Sequence, residues 1–252
     1  MKLRILHFFH KPEQLKNIRQ MKRVVELTLR LNSEKKHSLP IDLIYTPVQD
    51  SSKLFPLPLW VDSIANYYEF KNNFGKRKED LITMYQELNT GTDSSYLMFL
   101  DGDEVISRRQ LENMLENILL YLQWGSHPIL GLARYNYITA IGAEQCKVLE
   151  ALREDGGKDC YIADNSTPQI PDSMKEASLI NWKYPDIQQR IVRLDVTGIY
   201  QVTGLTHEKI FYRGRADTTI LPNTITHIKT VEEQCNMDKF HRDLLSTKED
   251  TV

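Results

Sequence analysis

Apolar positions recur along the chain in two alternating rhythms. The opening LRILHFF, residues 3–9, is a short apolar run bounded by the turn signal Lys11-Pro12, which predicts a buried strand. From Glu13 to Leu31 the spacing lengthens: Leu15, Ile18, Met21, Val24, Val25, Leu27, Thr28 and Leu31 recur at helical intervals among basic and polar neighbours, predicting an amphipathic helix. Pro40 ends the polar connector, and IDLIYTPV predicts a second strand. Strand, helix, strand is the βαβ unit, whose right-handed crossover sets the two strands parallel.

In KLFPLPLW, Pro56 and Pro58 block both helix and central strand, so an irregular connection is expected. Helical spacing returns over 75–88 through Leu81, Met84, Tyr85 and Leu88, and the polar link NTGTDSS leads into SYLMFL, a continuous apolar run of the kind covered on both faces. That run ends abruptly at Asp101-Gly102-Asp103-Glu104. Gln110 to Trp124 predicts another amphipathic helix, PILGLARYNYITA a strand, and 143–154 a helix. GGKDCYIADNSTPQIPDSMKEAS reads as loop, broken by Gly156, Gly157, Pro168 and Pro171. QRIVRLD, GIYQVTG and KIFYR read as strands, and the tail from Thr230 to Ser246 as a helix. No internal repeat of solenoid period occurs.

The pattern is that of an α/β chain, and 252 residues suit one large domain. With 32 Lys plus Arg against 34 Asp plus Glu the formal charge is −2, so no basic field gathers a polyphosphate backbone and nucleic acid is not an expected partner. Cys146, Cys160 and Cys235 are odd in number and widely separated, which gives neither a disulfide framework nor a zinc knuckle. The first residues lack the apolar core and cleavage site of a secretory signal, and no apolar stretch approaches the roughly 18–20 residues that span a bilayer. A cytoplasmic setting without a transmembrane segment is the expectation.

The chemistry concentrates where SYLMFL delivers Asp101 and Asp103 to a strand's carboxyl end, the edge at which open α/β sheets bind ligands. If the strand continues, the two carboxylates share a side, and Gly102 lets the chain bend and admit something close to its backbone. Neighbouring carboxylates repel unless a cation intervenes, so Mg²⁺ or Mn²⁺ shared with phosphate oxygens is one resolution. The alternative is a strand-ending turn in which Asp caps the next helix.

FGKRKE followed by FLDGDE resembles the central block of the family 2 glycosyltransferases of GT-A fold, with its F-S-x-A-R-N helix start and L-D-A-D-E strand end, as found in bacterial cell-surface polysaccharide glycosyltransferases. Lys78 stands where that family carries Arg, and Glu79 where it carries Asn. QRIVRLDVTGIYQVTGLTHEKI is similar to the family's R-L-F-R segment and Y-x-G-x-x-H-E, and ITHIKT with Lys239 to Leu245 to its closing I-x-H and K-x-x-R-x-x-x-L. IYTPVQD lies against the turn V-D-T-G-S-T-D, keeping Thr46 and Asp50 but with Tyr45 in an acidic position; Lys11-Pro12-Glu13 replaces an Asn-Glu pair.

The resemblance implies a single GT-A-like domain with a mainly parallel central sheet flanked by helices: a nucleotide-binding part over about 1–105, an acceptor-side part over about 106–228 and a C-terminal helix over about 230–246. It implies transfer of a sugar from a nucleotide-diphosphate donor to an acceptor hydroxyl on a glycan, a lipid-linked sugar or a protein, with Mn²⁺ or Mg²⁺ stabilising the departing diphosphate. Asp103 then ligates the metal, Asp101 meets ribose or a metal-bound water, and His207 or His227 completes the shell or meets the diphosphate. If the reaction inverts, Glu208 is the base, with Glu104 as second choice; Glu104 equally suits an acid at the start of a helix. Asp50, Lys78, Arg190 and Arg193 are the remaining donor contacts, although strand alternation sends the two arginines to opposite faces. Trp60, Trp124 and Trp182 suit core packing better than stacking on a ligand. Two other functions meet the same residues: a nucleotidyltransferase or nucleotide-sugar hydrolase, which also needs paired carboxylates, and a non-catalytic GT-A-like binding domain.

Overall fold

The computed structural model describes residues 1–34, 39–49, 74–89, 94–123, 128–140, 161–162, 178–181, 186–204, 208–230 and 233. The chain forms two compact units, one of residues 1–133 and 187–225 and the other of 134–186 and 226–252. The irregular connection at 53–60, the helix expected over 143–154 and nearly all of the C-terminal helix fall outside the described residues, as do the three tryptophans.

The first unit grows from the predicted βαβ. Strand β1 (Lys2–Phe9) lies between β2 (Asp42–Gln49) and β3 (Ser95–Leu100), parallel to both. All six residues of β3 are buried, as its unbroken apolar run demands of a strand covered on both faces. Helix α1 (Leu15–Glu34) buries Ile18, Met21, Val24, Val25 and Thr28 of the stripe its spacing predicts, while Leu27, off the helical interval, is exposed. A short 3₁₀ turn, Pro12–Gln14, starts it, and the Gln14 carboxamide oxygen accepts from the backbone N–H groups of His10 at 2.9 Å and Lys11 at 3.2 Å.

The next elements are helix α2 (Phe74–Leu88), the two-residue β4 (Glu104–Val105), helix α3 (Arg108–Gln123), β5 (Ile129–Ala140) and the short β6 (Tyr161–Ile162) and β7 (Ser178–Asn181). They are followed by β8 (Asp186–Arg193), β9 (Tyr200–Thr203), β10 (Lys209–Tyr212) and β11 (Thr219–Thr230). The main sheet runs β2-β1-β3-β8-β5-β11-β4, while β9 and β10 pair in a separate antiparallel ribbon. The sheet is mixed: β1 pairs parallel with β2 and with β3, and β8 docks on β3 antiparallel, with Met98 opposite Ile191 and Tyr96 opposite Arg193.

One face carries Leu6, Phe8, Val48, Leu97, Phe99 and Val192, packed against Leu81 and Ile82 of α2 and Tyr200 and Val202 of β9. Each such fully buried side chain contributes about 1.5–3 kcal/mol. Glu79 stitches α2 to β9 by accepting the Val202 N–H at 2.9 Å. Lys76 pairs with the same carboxylate at 2.9 Å, and although burial pushes Glu79 up, these two partners outweigh it and hold its carboxyl below the usual range.

In the second unit, β6 and β7 interrupt what the Gly and Pro content marks as loop, and β7 pairs antiparallel with the end of β5. Cross-strand pairing there overrides composition. Arg134 and Asp186 form an ion pair at 2.6 Å, and the Asn136 amide donates to the same carboxylate at 3.1 Å.

Candidate functional site

The site is built around the end of β3. The strand stops at Leu100, and the Asp101 carbonyl accepts the Glu104 N–H at 2.8 Å, closing a turn over the Asp-Gly-Asp triplet. Strand alternation therefore does not extend to Asp103. Nor does an aspartate cap the helix beyond. That role belongs to Ser107, whose hydroxyl accepts from Gln110 N–H while the Gln110 side chain accepts from Ser107 N–H at 2.8 Å, a reciprocal capping box. Glu104 lies in β4, ahead of the helix, and not in its first turn.

Gly102 is required by close approach, but the approaching group is the chain itself. A Cβ there would stand 2.6 Å from the Gln14 side chain and 2.7 Å from the Phe8 carbonyl oxygen. Asn17 donates to the Gly102 carbonyl at 2.8 Å, so the start of α1 grips the turn.

His7 supports the turn from beneath. The parallel register puts His7 beside Leu100, and its Nε2 lies 3.0 Å from the Asp101 carbonyl oxygen. A carbonyl only accepts, so Nε2 carries the proton and Nδ1 accepts from the Tyr45 hydroxyl at 2.8 Å. Burial pushes His7 down to about 4, against the opposing pull of the Asp101 carbonyl and the Asp101 and Asp103 charges, so the ring is neutral at pH 7. Tyr45, raised well above its usual value by burial, also reaches the Ile18 carbonyl at 3.2 Å. The Tyr45 side chain is thus wired inward.

Five predicted residues, Lys78, Asp101, Glu104, Arg190 and Glu208, lie at this end of the sheet. Antiparallel docking puts the early residues of β8 beside the end of β3, and Arg190 shares its strand face with Val192. Its Nη2 donates to the Asp101 carboxylate at 2.7 Å and to Glu104. The other Glu104 oxygen accepts the Asp101 N–H at 3.0 Å, which closes a ring of three residues. Glu104 is fully buried and Arg190 2% exposed, whereas the Asp101 side chain is 43% exposed. Burial works against the Arg190 charge, but Asp101, Glu104 and Glu208 overcome it and make the guanidinium more basic than usual. Lys78 rises from α2 on the same face, its ammonium 5.8 Å from the Phe99 ring centre and 3.1 Å from the Glu208 carboxylate. Both side chains of that pair are largely buried, at 7% and 16% exposed.

Other predicted residues have different surroundings. Arg193, on the opposite face of β8, forks Asp195 with two bonds of 2.8 Å, and that hydrogen-bonded pairing raises its basicity. His227 belongs to the second unit and donates from Nδ1 to the Asn136 side-chain oxygen at 2.6 Å. Asp103 is half-buried. Asp50 and His207 lie outside the described residues. Of the basic run, Lys76 is exposed and paired with Glu79 and Asp80, and Arg77 is buried over the Phe8 ring at 3.9 Å.

Mn²⁺ or Mg²⁺ would need several oxygen or imidazole donors turned to one point. Among the described residues no group of three or more His, Cys, Asp or Glu side chains is arranged to hold a metal ion. Asp101 and Glu104 instead share a guanidinium. Sharing that guanidinium, Asp101 and Glu104 do not fit as a ligand pair for the cation that the resemblance implies, while His207 lies outside the described residues. Sequence reasoning passed over His7, Gln14 and Asn17 as parts of the site; a His inside an apolar strand was the signal available.

No protein-family model matches the chain, and no curated protein does. Among solved structures, the chain is similar to a glycosyltransferase involved in the glycosylation of the major capsid of PBCV-1, at 15% identity over 70% of this chain and 75% of that one, with a TM-score of 0.27. So slight a likeness carries no weight for function. Among the described residues, no helix is long and apolar enough to cross a membrane.

Proposed function

We propose that this chain transfers a sugar from a nucleotide-diphosphate donor to an acceptor hydroxyl. One observation carries the reading. Lys78, Asp101, Arg190 and Glu208, drawn by motif from three separate sequence blocks, converge at the carboxyl end of β3 through bonds of 3.1 and 2.7 Å and through the field of Glu208 on Arg190. A carboxylate, a cation and a half-exposed aspartate at that edge of an α/β sheet are what displacement at an anomeric carbon asks for.

In this reading Glu208 takes the acceptor proton as the acceptor oxygen bonds to the anomeric carbon. The bond from that carbon to the phosphate oxygen breaks with its electrons leaving on the diphosphate, and configuration inverts. The Lys78 ammonium, released from Glu208, meets the charge that develops there. Asp101, held by Arg190 and Glu104, presents its outer oxygen to a donor hydroxyl. No step is routed through a metal. Donor nucleotide, sugar and acceptor follow from no residue described above, so the test begins with a panel of nucleotide sugars.

Glu208→Gln should still bind the donor found in that panel, with Lys78 no longer held by a carboxylate, and lose about 10²–10⁴-fold in transfer. Full turnover in the variant ends the candidacy of Glu208 as base. The inward bonding of Tyr45 favours a second reading, a binding domain without catalysis. Donor binding with no sugar transferred and none released to water would establish it, and release to water alone would mark a hydrolase.

A further inference from the structure

We propose that the Arg190 guanidinium takes the place of a divalent cation at the Asp101-Gly102-Asp103 turn, so that the turn holds no metal of its own. Two carboxylates that approach each other need a positive charge between them. Here it is built in, because a single nitrogen of Arg190 donates to both Asp101 and Glu104. A metal ion on Asp101 would either sit against that guanidinium or displace it. Displacement would strand a charge that is 2% exposed and whose Nε has no hydrogen-bond partner among the described residues. Glu104 cannot turn outward to help a metal. It is fully buried, and its second oxygen is committed to the Asp101 N–H. Glu208 is engaged by Lys78 in the same way.

The turn therefore carries its counter-charge from β8, and a second, largely buried cation, Lys78 on Glu208, stands on the same face to meet an anionic ligand. As a deepening of the transferase reading, on which this arm alone rests, binding of a nucleoside diphosphate is indifferent to chelators.

The test has two arms. In the first, the full chain is titrated with Mn²⁺ and free ion is counted by electron paramagnetic resonance. The expected result is no stoichiometric binding that Asp103→Ala abolishes, and a gain of Mn²⁺ affinity in Arg190→Met, where two carboxylates lose their cation. If Arg190→Met does not fold, Arg190→Lys is used, together with the wild type, whose titration decides by itself. One Mn²⁺ bound by the wild type and lost in Asp103→Ala overturns the proposal.

In the second arm, UDP and GDP are titrated calorimetrically with EDTA or with Mn²⁺. Affinities within about threefold of each other support the proposal, and a loss beyond about tenfold in EDTA that Mn²⁺ restores overturns it. Failure of both nucleotides in both buffers counts against the transferase reading, and the Mn²⁺ titration then decides the role of Arg190.

Discussion

Acid should destabilise this fold through His7 before most carboxylates are neutralised. The ring is neutral in the folded chain down to about pH 4, whereas an unfolded histidine takes up its proton near 6.5. Between those values the unfolded chain binds one more proton than the folded one, so stability falls as the pH falls. The contribution is fully present above 6.5 and exhausted below about 4. A difference of about 2.5 units at about 1.4 kcal/mol each makes the loss roughly 3 kcal/mol, a large part of the stability of a domain. The comparison is with His7→Gln, whose amide can donate to the Asp101 carbonyl and accept from Tyr45 but does not titrate. Urea unfolding followed by circular dichroism from roughly pH 4.5 to 7.5 gives both curves. The wild type should lose stability more steeply than the variant, by up to about 1.4 kcal/mol per pH unit. Parallel curves would refute the reasoning, since they would mean that His7 is charged in the folded state or reaches water.

Three further outcomes follow from the same geometry. Glu104→Gln leaves Arg190 with a single carboxylate in a buried setting and should cost about 3–5 kcal/mol in urea unfolding; a cost near zero would mean that the ring of three residues is not closed in solution. Gly102→Ala should cost about 1–3 kcal/mol, because the new methyl meets Gln14 and the Phe8 carbonyl, and Gly102→Ala combined with Gln14→Ala should recover only the side-chain part of that loss. Ser107→Ala removes the cap of α3 at a cost of about 1 kcal/mol, seen as a lower melting temperature, with binding of any nucleotide unaltered.

What could be read in advance were features whose cause is local. The stripe Ile18, Met21, Val24, Val25 and the unbroken SYLMFL fix α1 and β3, because a helix face and a doubly covered strand are written in spacing alone. The end of β3 could be located for the same reason, since the apolar run stops at Asp101. The partner of that aspartate could not. Arg190 reaches it only through the register of β8 on β3, and pairing between strands about ninety residues apart leaves no mark in either segment. Two-residue β4 is too short to have a period. In β11 polar residues and Pro222 obscure a twelve-residue strand whose first half alternates, with Leu221, Asn223 and Ile225 buried, and whose run Ile225–Ile228 is buried without a break. The Ser107-Gln110 box, by contrast, is legible as Ser followed three residues later by Gln, and it sets the helix start at Arg108, two residues ahead of the Gln110 that the apolar spacing marks.

The tie between Arg190 and the turn also sets an order of assembly. A chain emerging from the ribosome completes β1, α1, β2 and β3 well before β8 exists, and through that interval Asp101 and Glu104 lack the Arg190 guanidinium that they share in the finished fold. That shared charge arrives when the later strand slots in against β3, so completion of the corner waits on the last third of translation. A polypeptide shortened ahead of residue 186 would lack both the strand that docks on β3 and the guanidinium that Asp101 and Glu104 share.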